Sequence, residues 1–170
     1  MKRIVILGSS GTGKTTLGRR SGEKPGINVL HLDSVYWEKD WANIDKIEFD
    51  RYMKQYLTKH DNWVIDGNYT NNKHFKYRLD LADAIIVLDF GRQVSLQGIH
   101  MRADEFKHQV RSDMAEGCVE GIDQVFLQYV AGFHKVKSKY LKAIVKQYDN
   151  KKQVLIFKNR NELYDWYNSL

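Results

Sequence analysis

Gly8-Ser9-Ser10-Gly11-Thr12-Gly13-Lys14-Thr15 is the stretch on which the reading of this chain turns. Before it, residues 3–7 (Arg-Ile-Val-Ile-Leu) form a β-branched apolar run, which reads as a buried strand entering a tight turn. After it, the pattern becomes helical from Lys14 to about Gly22. In that setting the stretch fits G-x-x-x-x-G-K-[ST] at every fixed position. Glycines let the backbone curl so that several N–H groups point at one anion, and the following helix adds the positive end of its dipole. Lys14 is placed to reach the β- and γ-phosphates of a nucleotide, and the Thr15 hydroxyl to ligate magnesium. Gly8, Ser9, Ser10, Gly11, Thr12, Gly13, Lys14, Thr15 and Thr16 are the expected binding residues for ATP with Mg²⁺.

Outward from the loop, strands and helices alternate. Residues 28–32, 63–65, 84–88 and 153–157 are short apolar runs that read as strands. Between them, residues 45–60 place Phe49, Tyr52, Met53, Tyr56 and Leu57 at helical spacing, and 71–82 and 93–102 also read as helices. The longest helix is expected from about Gly121 to about Tyr148, with a bend at Gly132; its stripe runs through Ile122, Val125, Phe126, Tyr129, Val130 and Phe133 and continues through Val136, Tyr140, Leu141, Ile144 and Val145. A short helix ends the chain. Uniformly apolar strands mark a sheet buried on both faces. The expectation is an α/β P-loop fold, a five-stranded parallel sheet flanked by helices on both faces, in a single domain over residues 1–170. Ligands of such sheets bind beyond the carboxyl ends of the strands, where Gly8, Asp33, Asp66 and Asp89 fall.

Composition narrows the class. The chain has 170 residues, 42% of them hydrophobic, enough for one core of ordinary size, and no linker, repeat or low-complexity tract divides it. One cysteine, Cys118, precludes an internal disulfide or a cysteine-built metal cage. No apolar run is long enough to cross a bilayer and no signal sequence is evident, so no membrane partner and a cytoplasmic location are expected. With 27 Lys and Arg against 21 Asp and Glu, the net charge of +6 suits an anionic partner: nucleotide, phosphorylated metabolite or nucleic acid. The late lysines (Lys135, Lys137, Lys139, Lys142, Lys146, Lys151 and Lys152) read more simply as a solvated helix face than as a DNA-binding patch.

Phosphoryl transfer needs more than the loop. A second magnesium anchor is commonly an aspartate ending an apolar strand; Asp66 and Asp89 both fit, with Asp66 preferred. Asp33 is the candidate base for an acceptor hydroxyl, next to Trp37 and Trp41, which can stack on a planar acceptor or simply fill the core. Charge building on the transferred group calls for arginines: Arg78, Arg92, Arg102 and Arg111, the last two flanking a polar segment of about 103–118 that can close as a lid. Asp33, Trp37, Asn68, Tyr69 and Arg78 form the expected acceptor side. His31, inside a strand, reads as a core residue.

These residues carry a resemblance. His31-Leu32-Asp33 with Trp37 and Trp41, Trp63-Val64-Ile65-Asp66-Gly67-Asn68-Tyr69, Ala82-Asp83 before Ile85-Ile86-Val87-Leu88-Asp89-Phe90, and Asp113-Met114-Ala115-Glu116-Gly117-Cys118 together resemble the bacterial DNA topology modulation protein family, a branch of the adenylate kinase-like P-loop proteins. The resemblance implies a nucleoside-monophosphate-kinase type of sheet with a short lid. It also puts Asp66-Gly67 where adenylate kinases carry the D-G of their acceptor site. The arginine that follows that pair there is replaced by Asn68-Tyr69-Thr70, which counts against AMP as acceptor. The leading expectation is a kinase that transfers the γ-phosphate of Mg-ATP to a small nucleotide- or nucleoside-like acceptor. The alternative is an ATP-binding regulator associated with nucleic acid and lacking kinase activity; no helix-turn-helix, zinc finger or RNA-binding aromatic motif supports it.

Overall fold

Side-chain parity along the strands explains the architecture. In the computed structural model, which describes residues 1–169, β1 (Arg3–Gly8) sends Val5 and Leu7 into one apolar cluster and Ile4 and Ile6 into another on the opposite face. β3 (Trp63–Asp66) and β4 (Ala84–Leu88) split in the same way, Ile65, Ile85 and Val87 to one side and Val64, Ile86 and Leu88 to the other. A strand that buries both faces has no polar alternation to show, so its sequence is uniformly apolar.

With β2 (Asn28–His31) and β5 (Gln153–Phe157) these strands make a five-stranded, all-parallel sheet in the order β2-β3-β1-β4-β5. β1 is central, with β3 and β4 as neighbours. The chain passes from β1 outward to β2, returns to β3, then crosses β1 to reach β4. Gly8 therefore leaves the sheet where the connections change direction, the place at which such sheets form a crevice.

Helices cover both faces. α1 (Lys14–Gly22) and α8 (Arg160–Asn168) contribute Leu17 and Leu163 to the cluster around Ile4 and Ile6. α3 (Lys46–Lys59), α4 (Lys73–Leu81) and α7 (Lys137–Val145) cover the other face through Phe49, Met53, Leu57, Phe75, Leu79, Leu141 and Val145. Local signals fix their starts: the Asp45 carboxylate accepts from Ile47 N and Glu48 N, and Asn159 accepts from Glu162 N while Glu162 accepts from Lys158 N. α2 (Asp33–Tyr36), α5 (Arg92–Glu105) and α6 (Gln124–Phe133) complete the helices that matter for the site. No helix among the described residues is long and apolar enough to cross a membrane.

Three expectations need correction. The single long helix from about 121 to 148 is two helices, α6 and α7, broken at residues 134–136 where Val136 leaves helical geometry at φ −121°. Of the expected stripe, Val130, Phe133, Leu141 and Val145 are buried, whereas Val125 (77% exposed) and, at the break, Val136 (68%) face outward. The second strand, expected over 28–32, ends at His31, and Asp33 opens α2. Residues 103–105 of the expected lid extend α5, and the remainder is irregular chain held by an antiparallel bridge between Val110 and Val119.

His74 on α4 is buried edge-on against Phe49, and among the described residues neither ring nitrogen has a hydrogen-bond partner. Burial, with Arg78 nearby, lowers its pKa from 6.5 to about 3, against an opposing pull from Asp50. Between those values the unfolded chain binds the proton and the folded chain does not, so this contribution to stability is lost as pH falls below 6.5. Urea unfolding is expected to show wild type losing about 2 kcal/mol more than His74→Phe between pH 7.5 and pH 5. Equal losses in the two proteins contradict a neutral, buried His74.

Candidate functional site at the carboxyl edge of the sheet

The glycine-rich loop is held in shape by three neighbours. From the β3 side, Asn68 clamps the first glycine: its Oδ1 accepts from Gly8 N at 3.0 Å and its Nδ2 donates to Gly8 O at 2.8 Å. Arg78, fully buried on α4, supports that clamp by donating from Nη2 to Asn68 O. From the other side, Gly11 (φ 77°) presses on α5, where an added Cβ would collide with the Ser95 carbonyl oxygen; a Cβ at Gly98 would likewise strike Gly11 O. Within the loop, the Thr12 hydroxyl and the Lys14 ammonium both donate to Ser9 O, at 2.8 and 2.9 Å. Gly13 then turns into α1 with φ 90°.

Beside this loop lies a cleft of about 350 Å³. Its wall includes Ser10 through Thr16, with Asp33 on one side and Arg102 and Arg111 on another. Arg19, Arg20 and Arg160 add further cations, and Phe90, Leu163, Tyr164 and Tyr167 an apolar and aromatic part. Lys14 feels this setting. Burial lowers its pKa, Asp66 and Asp33 oppose that shift, and Arg102 and Arg111 reinforce it. An anion entering the cleft would relieve that crowding of positive charge.

The sequence candidates fall into three groups. Lys14, Thr15, Thr16, Asp33, Arg102 and Arg111 share the cleft with the loop. Asp33 Oδ1 accepts from the Tyr69 hydroxyl at 2.6 Å, and Tyr69 has a strained φ of 40°. Burial first, and then Asp33, raise the pKa of that phenol, so it remains a donor. Asp66 is buried behind the loop with Oδ2 2.5 Å from His31 Nδ1, so the half-buried His31 is satisfied by a strand-end carboxylate.

A second group is near the site but engaged with the fold. Asn68 spends its amide on Gly8 and Arg78 is sealed from solvent, so the structure gives both a supporting position and not the solvent-facing acceptor wall expected for them. Trp37 is half-buried, its ring edge-to-face with Tyr36 at 4.9 Å and with Trp41 at 5.5 Å. It belongs to an aromatic cluster outside the cleft wall.

A third group is elsewhere. Arg92 is exposed at the first turn of α5 and does not line the cleft. Asp89 binds Ser138 Oγ and, at 2.6 Å, Lys142 Nζ on α7; although burial opposes it, these contacts hold its carboxyl below the usual range. Of the two strand-end aspartates, Asp89 is thus committed away from the loop. Two of the late lysines are also engaged: Lys142 with Asp89, and Lys152 with the carbonyls of Leu79, Asp80 and Ala82.

Arg19, Asp113 and Glu120 escaped the sequence reading. Arg19 carried a usable signal, since it lies one helical turn beyond Thr15 and so shares the loop-facing side of α1. Asp113 entered only as part of the Asp113–Cys118 string, with no role assigned, and Glu120 gave no signal, because its partner Arg102 is 18 residues away in sequence.

Asn68→Ala removes both contacts to a buried Gly8 and is expected to lower stability by about 1–3 kcal/mol in urea unfolding. A change below about 0.5 kcal/mol, the level of an ordinary surface substitution, would show that the clamp does not hold the loop.

No protein-family model matches the chain. Threonine synthase-like 1 of Mus musculus is 50% identical to it over 40 residues, which is 24% of this chain and 5% of that protein. The chain thus matches a small part of that relative's length, an extent that shows no shared family.

Proposed function

We propose that this chain is an ATP-dependent phosphotransferase of the adenylate kinase-like P-loop type, acting with Mg²⁺ on a small nucleotide- or nucleoside-like acceptor. One observation carries the reading: Lys14 and the curled loop share a single cleft with Arg102 from α5, Arg111 from the segment after it, and the carboxylate of Asp33. A triphosphate matches the surplus of cations there, and the aromatic and apolar residues beside it suit a base.

The residues fit the metal as well. Thr15 lies in the cleft wall at the start of α1, and Asp66 is a buried carboxylate close enough to Lys14 to stabilise its charge. Mg²⁺ needs only one or two protein oxygens, and these two are the donors we assign. When bound with the nucleotide it neutralises charge on the β- and γ-phosphates. Lys14 then orients the γ-phosphoryl group, while Arg102 and Arg111 stabilise the charge that its transfer develops. Asp33 takes the proton of the acceptor hydroxyl on Oδ2, because Tyr69 holds Oδ1 and fixes the carboxylate in place. The DNA-associated alternative draws on the basic C-terminal half. We favour the kinase because the charged chemistry gathers at the loop and part of that lysine set is engaged within the fold.

Calorimetry with Mg²⁺ and ATP tests the first half of this reading. Lys14→Ala is expected to lose about 1.5–3 kcal/mol of binding free energy while staying folded; undiminished binding contradicts it. The second half rests on Asp33→Asn. This variant is expected to bind ATP normally yet transfer phosphate about 10²–10⁴-fold more slowly. Full activity in it removes the base assignment.

A further inference from the structure

Two buried carboxylates sit among the cleft's arginines. Glu120 has a side chain only 2% exposed, and its Oε1 accepts from Arg102 Nε at 2.9 Å. Its Oε2 is 2.7 Å from Arg111 Nε, an ion-pair distance, although the N–H is not aligned for a hydrogen bond. Asp113, 4% exposed, accepts from Arg111 Nη1 at 2.9 Å through Oδ2 and from Arg19 Nη2 at 3.0 Å through Oδ1. The result is one continuous chain of alternating charge, Arg19–Asp113–Arg111–Glu120–Arg102. It runs from α1, through the irregular segment after α5, and back to the last turn of α5.

Burying acidic groups beside an anion site opposes anion binding if they act only through their charge. Their geometry indicates another role. Glu120 holds both guanidinium groups by the Nε edge. Among the described residues, neither Nη of Arg102 nor Nη2 of Arg111 has a protein hydrogen-bond partner. The Arg102 guanidinium also lies 5.8 Å over the Phe126 ring, which limits its swing from a second direction. An arginine fixed at Nε presents its outer fork to whatever fills the cleft, and a planar fork suits phosphate oxygens. Pairing also offsets the repulsion between these two long cations and Lys14.

We propose that Glu120 and Asp113 are positioning residues: they pre-aim Arg102 and Arg111 at the terminal phosphate of the nucleotide, and Asp113 ties the lid to α1 through Arg19. The inference deepens the kinase reading and rests on it. A fixed pair loses less side-chain freedom on binding than two free arginines, so the acidic residues raise affinity for an anion despite their charge.

The sign of a charge-removing substitution decides the matter. Affinities for ATP and ADP, each with Mg²⁺, are measured by calorimetry for wild type, Glu120→Gln, Glu120→Asp and Asp113→Asn, with thermal unfolding as a check on the fold. Positioning predicts that each variant binds ATP about tenfold more weakly, the loss of roughly one aligned charge-assisted contact. It also predicts a smaller loss for ADP, which lacks the terminal phosphate. Glu120→Asp keeps the charge but shortens the reach, so it is expected to weaken binding alongside Glu120→Gln. If Glu120→Gln does not fold, Asp113→Asn, which leaves the Glu120 contacts intact, gives the answer. ATP binding as tight as wild type or tighter in the folded variants overturns the inference while leaving the kinase reading in place. Equal losses for ATP and ADP also overturn it, by removing the terminal phosphate as the target. A wild-type protein that binds neither nucleotide overturns both.

Discussion

The contact between Gly11 and Gly98 sets the limits within which the rest of the site operates. A curled loop that gathers N–H groups toward one point is unfavourable for a free chain, and glycine makes it the more so by enlarging the freedom lost. Here the curl is confined between α5 on one side and the Asn68 clamp on the other, leaving no room for a side chain at either glycine of the α5 contact. That confinement links the loop to the helix that carries Arg102. Movement of α5 is therefore felt at both ends of the cleft, at the backbone of the loop and at the guanidinium facing it.

Electrostatics complements this steric arrangement. The cleft concentrates Lys14, Arg102, Arg111 and Arg19, and the protein offsets them with carboxylates placed behind or between the cations, Asp66 under Lys14 and Glu120 and Asp113 among the arginines. Asp33 differs from these. It lies in the cleft wall, and a single phenol engages one of its oxygens, which is the condition a proton acceptor needs. The irregular segment after α5 is attached on its far side too: Glu116 O accepts from Asp40 N, and Cys118 Sγ contacts Glu38 O. These contacts join the segment after α5 to the loop that carries Trp37 and Trp41.

What could be read from the sequence follows from the range of the interactions involved. The three inner strands were legible because burial on two faces leaves an apolar run, and α1 was bounded correctly because its start lies in the loop motif itself. The lid arginines Arg102 and Arg111 were legible as candidates because cations are needed around a phosphate, and both line the cleft. Arg92 matched the same criterion and points elsewhere, since proximity to a strand end in sequence does not fix the direction of a side chain at a helix start. Asn68 was expected on the acceptor side and Arg78 as a cation near the transferred group, but their supporting role depends on Gly8, 60 residues from Asn68. The break between α6 and α7 was misplaced because an apolar stripe at helical spacing looks the same whether one helix or two helices carry it.

Hydrogen–deuterium exchange with and without Mg-ATP tests the central claim, that one nucleotide site is built jointly from the loop and the lid. The account predicts added protection in residues 8–16 together with residues 103–118, with β5 unchanged. Protection confined to one of those segments, or absent from both at saturating nucleotide, would contradict it.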